Sequence, residues 1–307
     1  MEYDYELAII GAGPAGFAAG IYATRAGISA VIFDIGAGGG LLALSPVIEN
    51  YPGFPSIPGM ELSDRMREHL EKYMKVNMAE QVKALEVNDD GVKVTTSNRE
   101  YQVGAVIIAT GTVHKRLEIP GEGKLSGRGV SYCAICDGPF FKGKRAIVVG
   151  GGNSALIEAI ALKNMGLDVK VVHRRDVLRA EDAYKDTAKE VGLDIVYETH
   201  VEEIKGEDRV EKVLLHNVKD EQHSEMEVDA VFVSIGEEPQ NQLAKQIGVE
   251  LDEKGYIITD KNMHTNIKRI YAAGDITGGL RQIVTACAEG AVAALTSMEV
   301  LGKVYPY

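Results

Sequence analysis

The fold is decided by the stretch Leu7-Ala8-Ile9-Ile10-Gly11-Ala12-Gly13-Pro14-Ala15-Gly16. Its apolar first part predicts a buried parallel strand, and the GxGxxG pattern behind it predicts a tight turn that opens a helix. The next predicted strand, Ala30 to Phe33, ends at the acid Asp34, about twenty residues beyond the glycines. In such a Rossmann-type unit the helix N-terminus binds a pyrophosphate. Asp34 would accept hydrogen bonds from ribose hydroxyls and repel a 2′-phosphate.

A second unit of the same type follows in the middle of the chain. The apolar strand Arg145 to Val149 leads into Gly150-Gly151-Gly152-Asn153-Ser154-Ala155, a GxGxxA pattern, and into a predicted helix. The following strand, Asp168 to Val172, ends in the basic triplet His173-Arg174-Arg175, with Arg179 four residues further on, where the first unit has its acid. Arginines at this position give charge-assisted contacts to a 2′-phosphate. The pattern therefore predicts NADPH rather than NADH; the alternative is a solvated basic surface.

Two further strands indicate which dinucleotide the first unit binds. Val106 to Gly111 is a buried strand with an Ala-Thr-Gly ending, which recurs in flavoprotein disulfide reductases. Ile270 to Asp275 is a strand that ends in an acid, and an Ala-rich helix is predicted after it, to about Leu301. The acid can bind ribityl hydroxyls, and a helix N-terminus near Gln282 and Ile283 can stabilise negative charge on a reduced flavin. We therefore expect FAD in the first unit, to which both ends of the chain contribute.

The chain is thus predicted to be an α/β protein with two Rossmann-like dinucleotide-binding domains, for FAD and NADPH, of which the FAD domain is discontinuous. Clusters of Pro, Gly and polar residues mark the boundaries. The expected segments are 1–117 (FAD domain), 118–244 (NADPH domain with the CxxC) and 245–307 (FAD domain). Residues 40–60, rich in Pro and Gly, are predicted to form a loop over the flavin. Strands between Asp194 and Ser234 are expected to complete the NADPH domain.

Length, charge and hydropathy exclude several classes of function. A chain of 307 residues, 45% of them hydrophobic, is long enough for two domains with full cores. The net charge of −12 argues against a nucleic-acid surface, which would be basic. No apolar run approaches the length of a membrane span, and the acidic N-terminus predicts no signal peptide. Three cysteines fit a reducing compartment, so we expect a cytoplasmic protein. From the charge and hydropathy we expect neither nucleic-acid nor membrane partners.

The predicted chemistry is centred on Cys133-Ala134-Ile135-Cys136-Asp137, between the two glycine patterns. Thiols two residues apart can close a small disulfide ring, and the N-terminal thiol of such a turn often has a depressed pKa and acts as a nucleophile. The same pattern is half of a zinc site, but zinc needs about four ligands. The remaining cysteine, Cys287, lies in an Ala-rich stretch without a neighbouring His. We therefore predict a redox-active disulfide and no metal site, with Cys287 a small buried side chain.

These motifs, in this order, resemble the low-molecular-weight thioredoxin reductases, flavoproteins with a CxxC in the NADPH domain. The resemblance covers essentially the whole chain and rests on GAGPAG, ENYPGF, ATG, CAICDGPFF, GGGNSA, HRRDVLRAE and GDITGGLRQ, which begin at Gly11, Glu49, Ala109, Cys133, Gly150, His173 and Gly274. It implies that Cys136 lies nearest the flavin, that Cys133 attacks the partner disulfide, and that Asp137 is the acid–base group.

The candidate cofactor-binding residues come from both glycine patterns, the strand ends and the resemblance. They are Gly11, Ala12, Gly13, Pro14, Ala15, Gly16, Asp34, Gly39, Gly40, Leu41, Asn50, Ala109, Thr110, Gly111, Gly150, Gly152, Asn153, Ser154, His173, Arg174, Arg175, Arg179, Gly236, Gly274, Asp275, Arg281, Gln282 and Ile283. No role is predicted for the histidines other than His173.

The resemblance also implies a reaction and an assembly. Hydride would pass from NADPH to FAD, the electrons would reduce the Cys133–Cys136 disulfide, and the dithiol would exchange with oxidised thioredoxin. Nicotinamide and disulfide belong to one predicted domain and both need the same flavin, so the domains are expected to rotate between the half-reactions. The family further implies a homodimer.

The chain departs from the family pattern in two loops, and two alternatives stay open. Members usually have Gln after the Gly-Gly of the early flavin loop, where this chain reads Gly38-Gly39-Gly40-Leu41. In the second loop, Gln240 separates Pro239 from the usual Asn. One alternative is a related CxxC flavoprotein that uses a different electron donor or acts as a dithiol oxidase. The other is a non-catalytic redox sensor. The second glycine pattern and the basic triplet favour the NADPH-dependent enzyme over both.

Overall fold

The protein, a computed structural model that describes residues 3–45 and 47–304, consists of two compact units. The first contains the described residues up to Val113 and those from Glu238 onward, and the second runs from His114 to Glu237. The second unit is therefore inserted into the first. None of the described helices has the length and apolarity needed to cross a membrane.

The elements are numbered in chain order. Up to the first crossing between the units they are β1 (Tyr5–Ile10), α1 (Pro14–Arg25), β2 (Ala30–Phe33), α2 (Gly40–Leu44), α3 (Gly59–Glu71), β3 (Val76–Asn77), β4 (Val82–Val87), β5 (Val92–Thr96), β6 (Glu100–Ile108) and β7 (Thr112–His114). Next come β8 (Val130–Ser131), α4 (Ala134–Asp137), β9 (Arg145–Gly150), α5 (Asn153–Asn164), β10 (Asp168–Val172), α6 (Asp182–Glu190), β11 (Asp194–Val196), β12 (Thr199–Lys205), β13 (Lys212–Asn217), β14 (Gln222–Glu227), β15 (Ala230–Ser234) and β16 (Glu237–Pro239). The last are α7 (Gln242–Gln246), β17 (Ile270–Ala272) and α8 (Ile283–Thr296).

The first unit is built on a seven-stranded sheet in the order β3-β2-β1-β6-β5-β4, with β17 also paired to β6. β1 is parallel to β2 and β6, and Leu7 lies opposite both Ala30 and Ala105. Leu7, Ala8 and Ile9 are fully buried, as a central parallel strand covered on both faces requires. The predicted succession of strand, glycine turn, helix and strand is confirmed.

Helix α8 packs closely on α1 through small residues. A Cβ at Gly290 would lie 2.1 Å from the carbonyl oxygen of Ala15, so the two helices approach at backbone distance. The prediction that α8 extends to about Leu301 is wrong, because the helix ends at Thr296. The Ser297 hydroxyl donates to Ala294 O (2.7 Å), a side-chain bond of the kind that competes with helix continuation, and turns follow.

The second unit combines a parallel sheet with an antiparallel one. The five-stranded sheet has the order β11-β10-β9-β15-β8, and its described pairings are parallel. Strands β12, β13 and β14 form a three-stranded antiparallel sheet. Val201, Val213 and Leu215 of this sheet are buried in one hydrophobic cluster with Ile147 and Val149 of β9. The strands predicted between Asp194 and Ser234 are therefore present.

The region 40–60, predicted as a loop, contains regular structure. It begins with α2, and α3 starts at Gly59; Pro46 lies outside the described residues. Leu42, Ile48, Ile57 and Leu62 form a small buried cluster of their own. Burial of these apolar side chains stabilises the short helix α2 and an isolated β-bridge between Ile48 and Ile57. The Pro and Gly residues of this region had predicted only a loop.

Gly290→Ala should destabilise the first unit, although alanine has the higher helix propensity. The added methyl group would overlap Ala15 O, and overpacking of this kind costs about 1–3 kcal/mol. Thermal unfolding followed by circular dichroism measures the change. Gly123→Ala is the control, because a Cβ there would have no neighbour within 4 Å. Equal melting temperatures for the two variants would contradict the close approach.

Candidate active site

The first glycine loop follows β1 and lies beside the end of β6. Gly11 has a φ of +107°, and a Cβ there would lie 2.2 Å from the carbonyl oxygen of Ala109. A Cβ at Gly16 would lie 1.8 Å from Gly11 O. At Gly13, by contrast, a Cβ would have no atom within 4 Å. Gly11 and Gly16 are therefore required for packing, whereas Gly13 leaves space for a ligand beside the backbone.

Helix α1 presents its N-terminus to this space. Its N-cap is Gly13, no side chain caps it, and its first turn contains no acid. The free N–H groups and the positive end of the helix dipole form an anion site. Asp34, directly after β2, accepts hydrogen bonds from the backbone N–H groups of Ala12 (2.8 Å) and Gly36 (2.7 Å). The acid predicted to bind ribose is thus fixed against the glycine loop.

Several other predicted residues of the first unit are joined to this loop or to one another. The Gly39 N–H donates to Ala12 O (2.7 Å), and a Cβ at Gly40 would lie 3.7 Å from Gly13 Cα. The Asn50 amide donates to Gln282 Oε1 (3.1 Å), next to the start of α8. Leu41 is half-buried in α2. Gly39 and Gly40 therefore lie beside the glycine loop, whereas Asn50 is joined to the segment that precedes α8.

The remaining predicted residues of the first unit lie after β6 and β17. The Thr110 hydroxyl donates to Gln240 O (2.7 Å), and Gly111 O accepts from the Gln240 N–H (3.0 Å). Gly274 follows β17, and Asp275 begins a short 3₁₀ helix, Asp275–Thr277. The Arg281 guanidinium donates to the Tyr256 hydroxyl (3.1 Å).

Glu289 is a positioning residue that the sequence reasoning missed. Its Oε2 accepts from the Gly274 N–H (2.8 Å) and from the Thr277 hydroxyl (3.0 Å), so it fixes the turn that carries Asp275. The signal was present in the sequence: Glu289 is the one charged residue in the otherwise apolar and small-residue helix α8.

The second glycine loop repeats the geometry of the first. A Cβ at Gly150 would lie 2.3 Å from Ser234 O, whereas a Cβ at Gly152 would have no neighbour within 4 Å. Helix α5 begins behind it with no side-chain cap and no acid in its first turn. Ser154, in that turn, is exposed, and Gly236 lies after β15 with a φ of +103°. The second unit therefore offers a second open anion site at a helix N-terminus.

The basic residues after β10 divide into two kinds. His173 is buried, its ring packs on Gly151, where a Cβ would lie 2.1 Å from Nδ1, and its Nε2 lies 3.0 Å from Val177 O. Arg174, Arg175 and Arg179 are exposed. The His173 ring thus packs against the glycine loop at Gly151, and the three arginines provide the accessible positive charge of this segment.

Hydrogen bonds join the basic segment to the glycine loop. The Arg179 N–H donates to Gly151 O (2.7 Å). The Asn153 amide donates to Glu181 Oε1 (2.7 Å), and its Oδ1 accepts from the Glu181 N–H (2.8 Å). The backbone of Arg179 and the side of the basic segment that carries Glu181 are therefore held next to the N-terminus of α5.

The CxxC forms a disulfide at the start of helix α4. Cys133 is the N-cap residue of α4, and its Sγ accepts from the Cys136 N–H (3.3 Å). Both cysteines are partly exposed. Cys287 is half-buried rather than fully buried, with Sγ 3.7 Å from Pro14 O, and burial raises its pKa to about 11. The disulfide is therefore the accessible redox group, and Cys287 stays a protonated thiol near neutral pH.

Asp137 is a half-buried residue next to the disulfide. The Ser131 hydroxyl donates to Asp137 Oδ2 (2.6 Å) and accepts from the Cys133 N–H (3.1 Å). Asp137 Oδ1 is buried and has no hydrogen-bond partner within the described chain. Burial raises the pKa of Asp137, and the Ser131 hydrogen bond partly opposes this. A carboxyl that retains its proton can exchange it with a nearby sulfur. Ser131 is a second positioning residue that the sequence reasoning missed.

Asp137→Asn should change how stability depends on pH. Because folding raises the Asp137 pKa, its protonated form contributes fully below the pKa of the unfolded chain, about 4, and this contribution is lost as pH rises through the folded pKa. The wild-type protein should therefore lose stability relative to Asp137→Asn as pH rises from about 4. Urea unfolding at several pH values measures the difference. A difference that stays constant with pH would contradict the raised pKa.

Comparisons with known proteins identify the family to which the chain belongs. Residues 5–290 match the family of pyridine nucleotide-disulphide oxidoreductases. Thioredoxin reductase of Bacillus subtilis (strain 168) is 42% identical over 296 residues, 95% of this chain and 93% of that protein. A Clostridium pasteurianum protein described as the 34.2 kDa protein in the rubredoxin operon is 40% identical over 98% of both chains. The crystal structure of thioredoxin reductase from Streptococcus pyogenes, 42% identical, superposes with a TM-score of 0.92 and covers 97% of this chain and 98% of that one. The chain is a member of the pyridine nucleotide-disulphide oxidoreductase family.

Proposed function

We propose that the protein is an NADPH-dependent thioredoxin reductase that uses FAD and the Cys133–Cys136 disulfide. The observation that carries this proposal is the occurrence, in one chain, of two open glycine loops at helix N-termini and a partly exposed disulfide beside a half-buried carboxyl. The similarity to proteins named thioredoxin reductase, over almost the whole of both chains, supports thioredoxin as the partner.

The first unit fits FAD. The space at Gly13 and the uncapped start of α1 would bind the pyrophosphate, and Asp34 would bind a ribose. Asp275 and the start of α8 would bind the ribityl chain and the flavin ring. When bound, FAD supplies the redox chemistry that connects a hydride donor with a disulfide.

The second unit fits NADPH. Gly152 and the start of α5 would bind the pyrophosphate, and the 2′-phosphate would be bound by Arg174, Arg175 and Arg179. We therefore assign the first unit as the FAD domain and the second as the NADPH domain. The chain passes from one unit to the other within β7 and again within β16, and these two strands pair as a two-stranded sheet. We propose this two-stranded sheet as the hinge for domain rotation between the half-reactions.

The exchange with thioredoxin is performed by the two sulfurs. The Cys133 thiolate attacks one sulfur of the partner disulfide; that S–S bond breaks, a mixed disulfide forms, and the released partner thiolate takes up a proton. The Cys136 thiolate then attacks Cys133 Sγ, the mixed disulfide breaks, and two electrons have passed to thioredoxin. The Cys136 N–H, 3.3 Å from Cys133 Sγ, would stabilise negative charge on Cys133 and favours it as the attacking thiolate.

Asp137 would supply and remove protons during this exchange. Its pKa is raised by burial, so it holds a proton at a pH where an exposed Asp would be ionised. Ser131 fixes its Oδ2, which leaves Oδ1 as the oxygen free to exchange a proton. The proposal further includes a homodimer in the cytoplasm without nucleic-acid or membrane partners, which rests on family resemblance, the acidic composition and the cysteine content.

Cys133→Ser and Cys136→Ser should each abolish thioredoxin reduction while flavin reduction by NADPH continues. The reason is that each substitution removes the disulfide and leaves both glycine loops intact. Anaerobic bleaching of the flavin absorbance measures the first half-reaction, and insulin turbidity with thioredoxin measures the second. Cys287→Ser is the thiol control and should retain turnover. Persistent thioredoxin reduction in a Cys133→Ser/Cys136→Ser protein would reject the mechanism.

Replacing Arg174, Arg175 and Arg179 by Gln should lower kcat/KM for NADPH and leave that for NADH little changed. Each charge-assisted hydrogen bond contributes about 1.5–3 kcal/mol, so each substitution should cost about tenfold or more. Initial rates with both nucleotides give the ratio. Arg209→Gln, at another exposed position of the second unit, is the control. Parallel losses with both nucleotides would mean that the arginines do not recognise the 2′-phosphate.

A further inference from the structure

Three histidines form a row across the antiparallel sheet of the second unit. His200 of β12 is the register partner of His216 of β13, which is the partner of His223 of β14. The ring centroids are 5.0 Å apart for His200 and His216, and 4.6 Å apart for His216 and His223. Val201 and Leu215, adjacent in sequence to two of them, are buried in the core, so the histidines occupy the outer face.

A carboxylate lies among these rings. The register of β12 against β13 shifts between Val201 and Glu203, and Glu202 is the extra residue at this bulge. Glu202 Oε1 lies 3.4 Å from His216 Nδ1 and 3.9 Å from His200 Nε2, and its Oε2 lies 2.9 Å from His223 Nδ1. Ligand atoms from His200, Glu202 and His216 all lie within 4.8 Å of one another, and within the described chain no other such group of three occurs.

The partner of the other His216 nitrogen indicates how this ring is used. His216 Nε2 lies 3.0 Å from Glu221 Oε2, so a neutral ring that donates from Nε2 leaves the Nδ1 lone pair facing Glu202 Oε1. Two lone pairs at this separation repel unless a proton or a metal cation lies between them. A histidine whose second nitrogen donates to a carboxylate is also the usual arrangement around a bound metal ion, and ligating carboxylates are in turn hydrogen-bonded, as Glu202 is to His223.

We propose that His200 Nε2, His216 Nδ1 and Glu202 Oε1 bind a divalent transition-metal ion, with zinc as the best match. Imidazole and carboxylate ligands suit zinc, and three protein ligands with a water molecule in the fourth position make a common zinc site. Glu221 and His223 are positioning residues that orient His216 and Glu202. This site is separate from the disulfide and does not depend on the proposed reductase activity.

The dimensions of the cluster are close to those of a zinc site. The ligand atoms of a tetrahedral zinc site lie about 3.3 Å from one another. The three ligand atoms here are at most 4.8 Å apart, so side-chain rotations that bring them closer by up to about 1.5 Å would complete the geometry. The side chains of His200, Glu202 and His216 are 42%, 29% and 16% exposed, which leaves an open side for water and for entry of the ion. The ion would link β12 to β13 across the bulge.

The test is isothermal titration of Zn²⁺ into the purified FAD-loaded protein with the Cys133–Cys136 disulfide intact, which removes the competing dithiol. We expect one site in the wild-type protein, lost or weakened at least tenfold in His200→Gln and in His216→Gln, and weakened about 10–100-fold in Glu221→Gln. His264→Gln is the matched control: His264 Nδ1 lies 3.0 Å from Asp260 Oδ2, but His264 belongs to no group of three ligands among the described residues. Flavin absorbance and circular dichroism check that each variant is folded.

X-ray absorption at the zinc edge identifies the ligands directly. The proposal requires nitrogen and oxygen ligands at about 2.0–2.1 Å with imidazole scattering, whereas a cysteine-bound ion would show sulfur at about 2.3 Å. The proposal is overturned by sulfur ligation, by the same affinity in the wild-type protein and in His200→Gln, or by no saturable binding in the wild-type protein. In the last case the cluster is a surface network of hydrogen-bonded imidazoles and carboxylates. His200 is the more exposed ligand, so its variant decides the matter if His216→Gln does not fold.

Discussion

The structure depends on the contact between the backbone at Gly11 and the carbonyl oxygen of Ala109. A Cβ on Gly11 would lie 2.2 Å from that oxygen, so β1 and β6 can end side by side only with glycine at this position. The same constraint recurs at Gly150, where a Cβ would lie 2.3 Å from Ser234 O. In each unit the glycine directs the chain into a helix whose N-terminus has no side-chain cap. An anion site at the strand ends therefore follows from backbone packing before any charged side chain takes part.

The residue directly after the second strand of each unit supports the glycine loop. In the first unit Asp34 accepts the Ala12 N–H, and in the second the ring of His173 packs on Gly151. Each residue therefore has a structural role in addition to any contact with a nucleotide. In the second unit the exposed positive charge lies on the arginines that follow. In the second unit, therefore, the residue directly after the strand packs on the glycine loop, and the residues that follow it present positive charge to solvent.

The sequence predicted what depends on neighbours in the chain and missed what depends on register or burial. The strand–glycine–helix succession at Gly11 and the disulfide at Cys133 are local, and both are present. The hydrogen bond from the Gly274 N–H to Glu289 could not be predicted, because it depends on how α8 packs against the turn at Gly274. The histidine row around His216 joins residues up to 23 positions apart through strand register and a bulge at Glu202, neither of which residue spacing reveals. The predicted end of α8 was also wrong: the helix ends at Thr296, and the Ser297 hydroxyl that follows donates to Ala294 O.

The disulfide site gains its chemistry at a cost to stability. Asp137 is half-buried, and its Oδ1 is buried with no hydrogen-bond partner among the described residues. An ionised carboxyl there would be poorly solvated, which is why the Asp137 pKa rises. An amide or an apolar side chain would avoid this cost, so packing alone does not explain the acid. Ser131 bonds only Oδ2 and so does not cancel the shift. A carboxyl that is fixed through one oxygen, buried at the other and four residues along the chain from Cys133 has the properties that proton exchange with a sulfur requires.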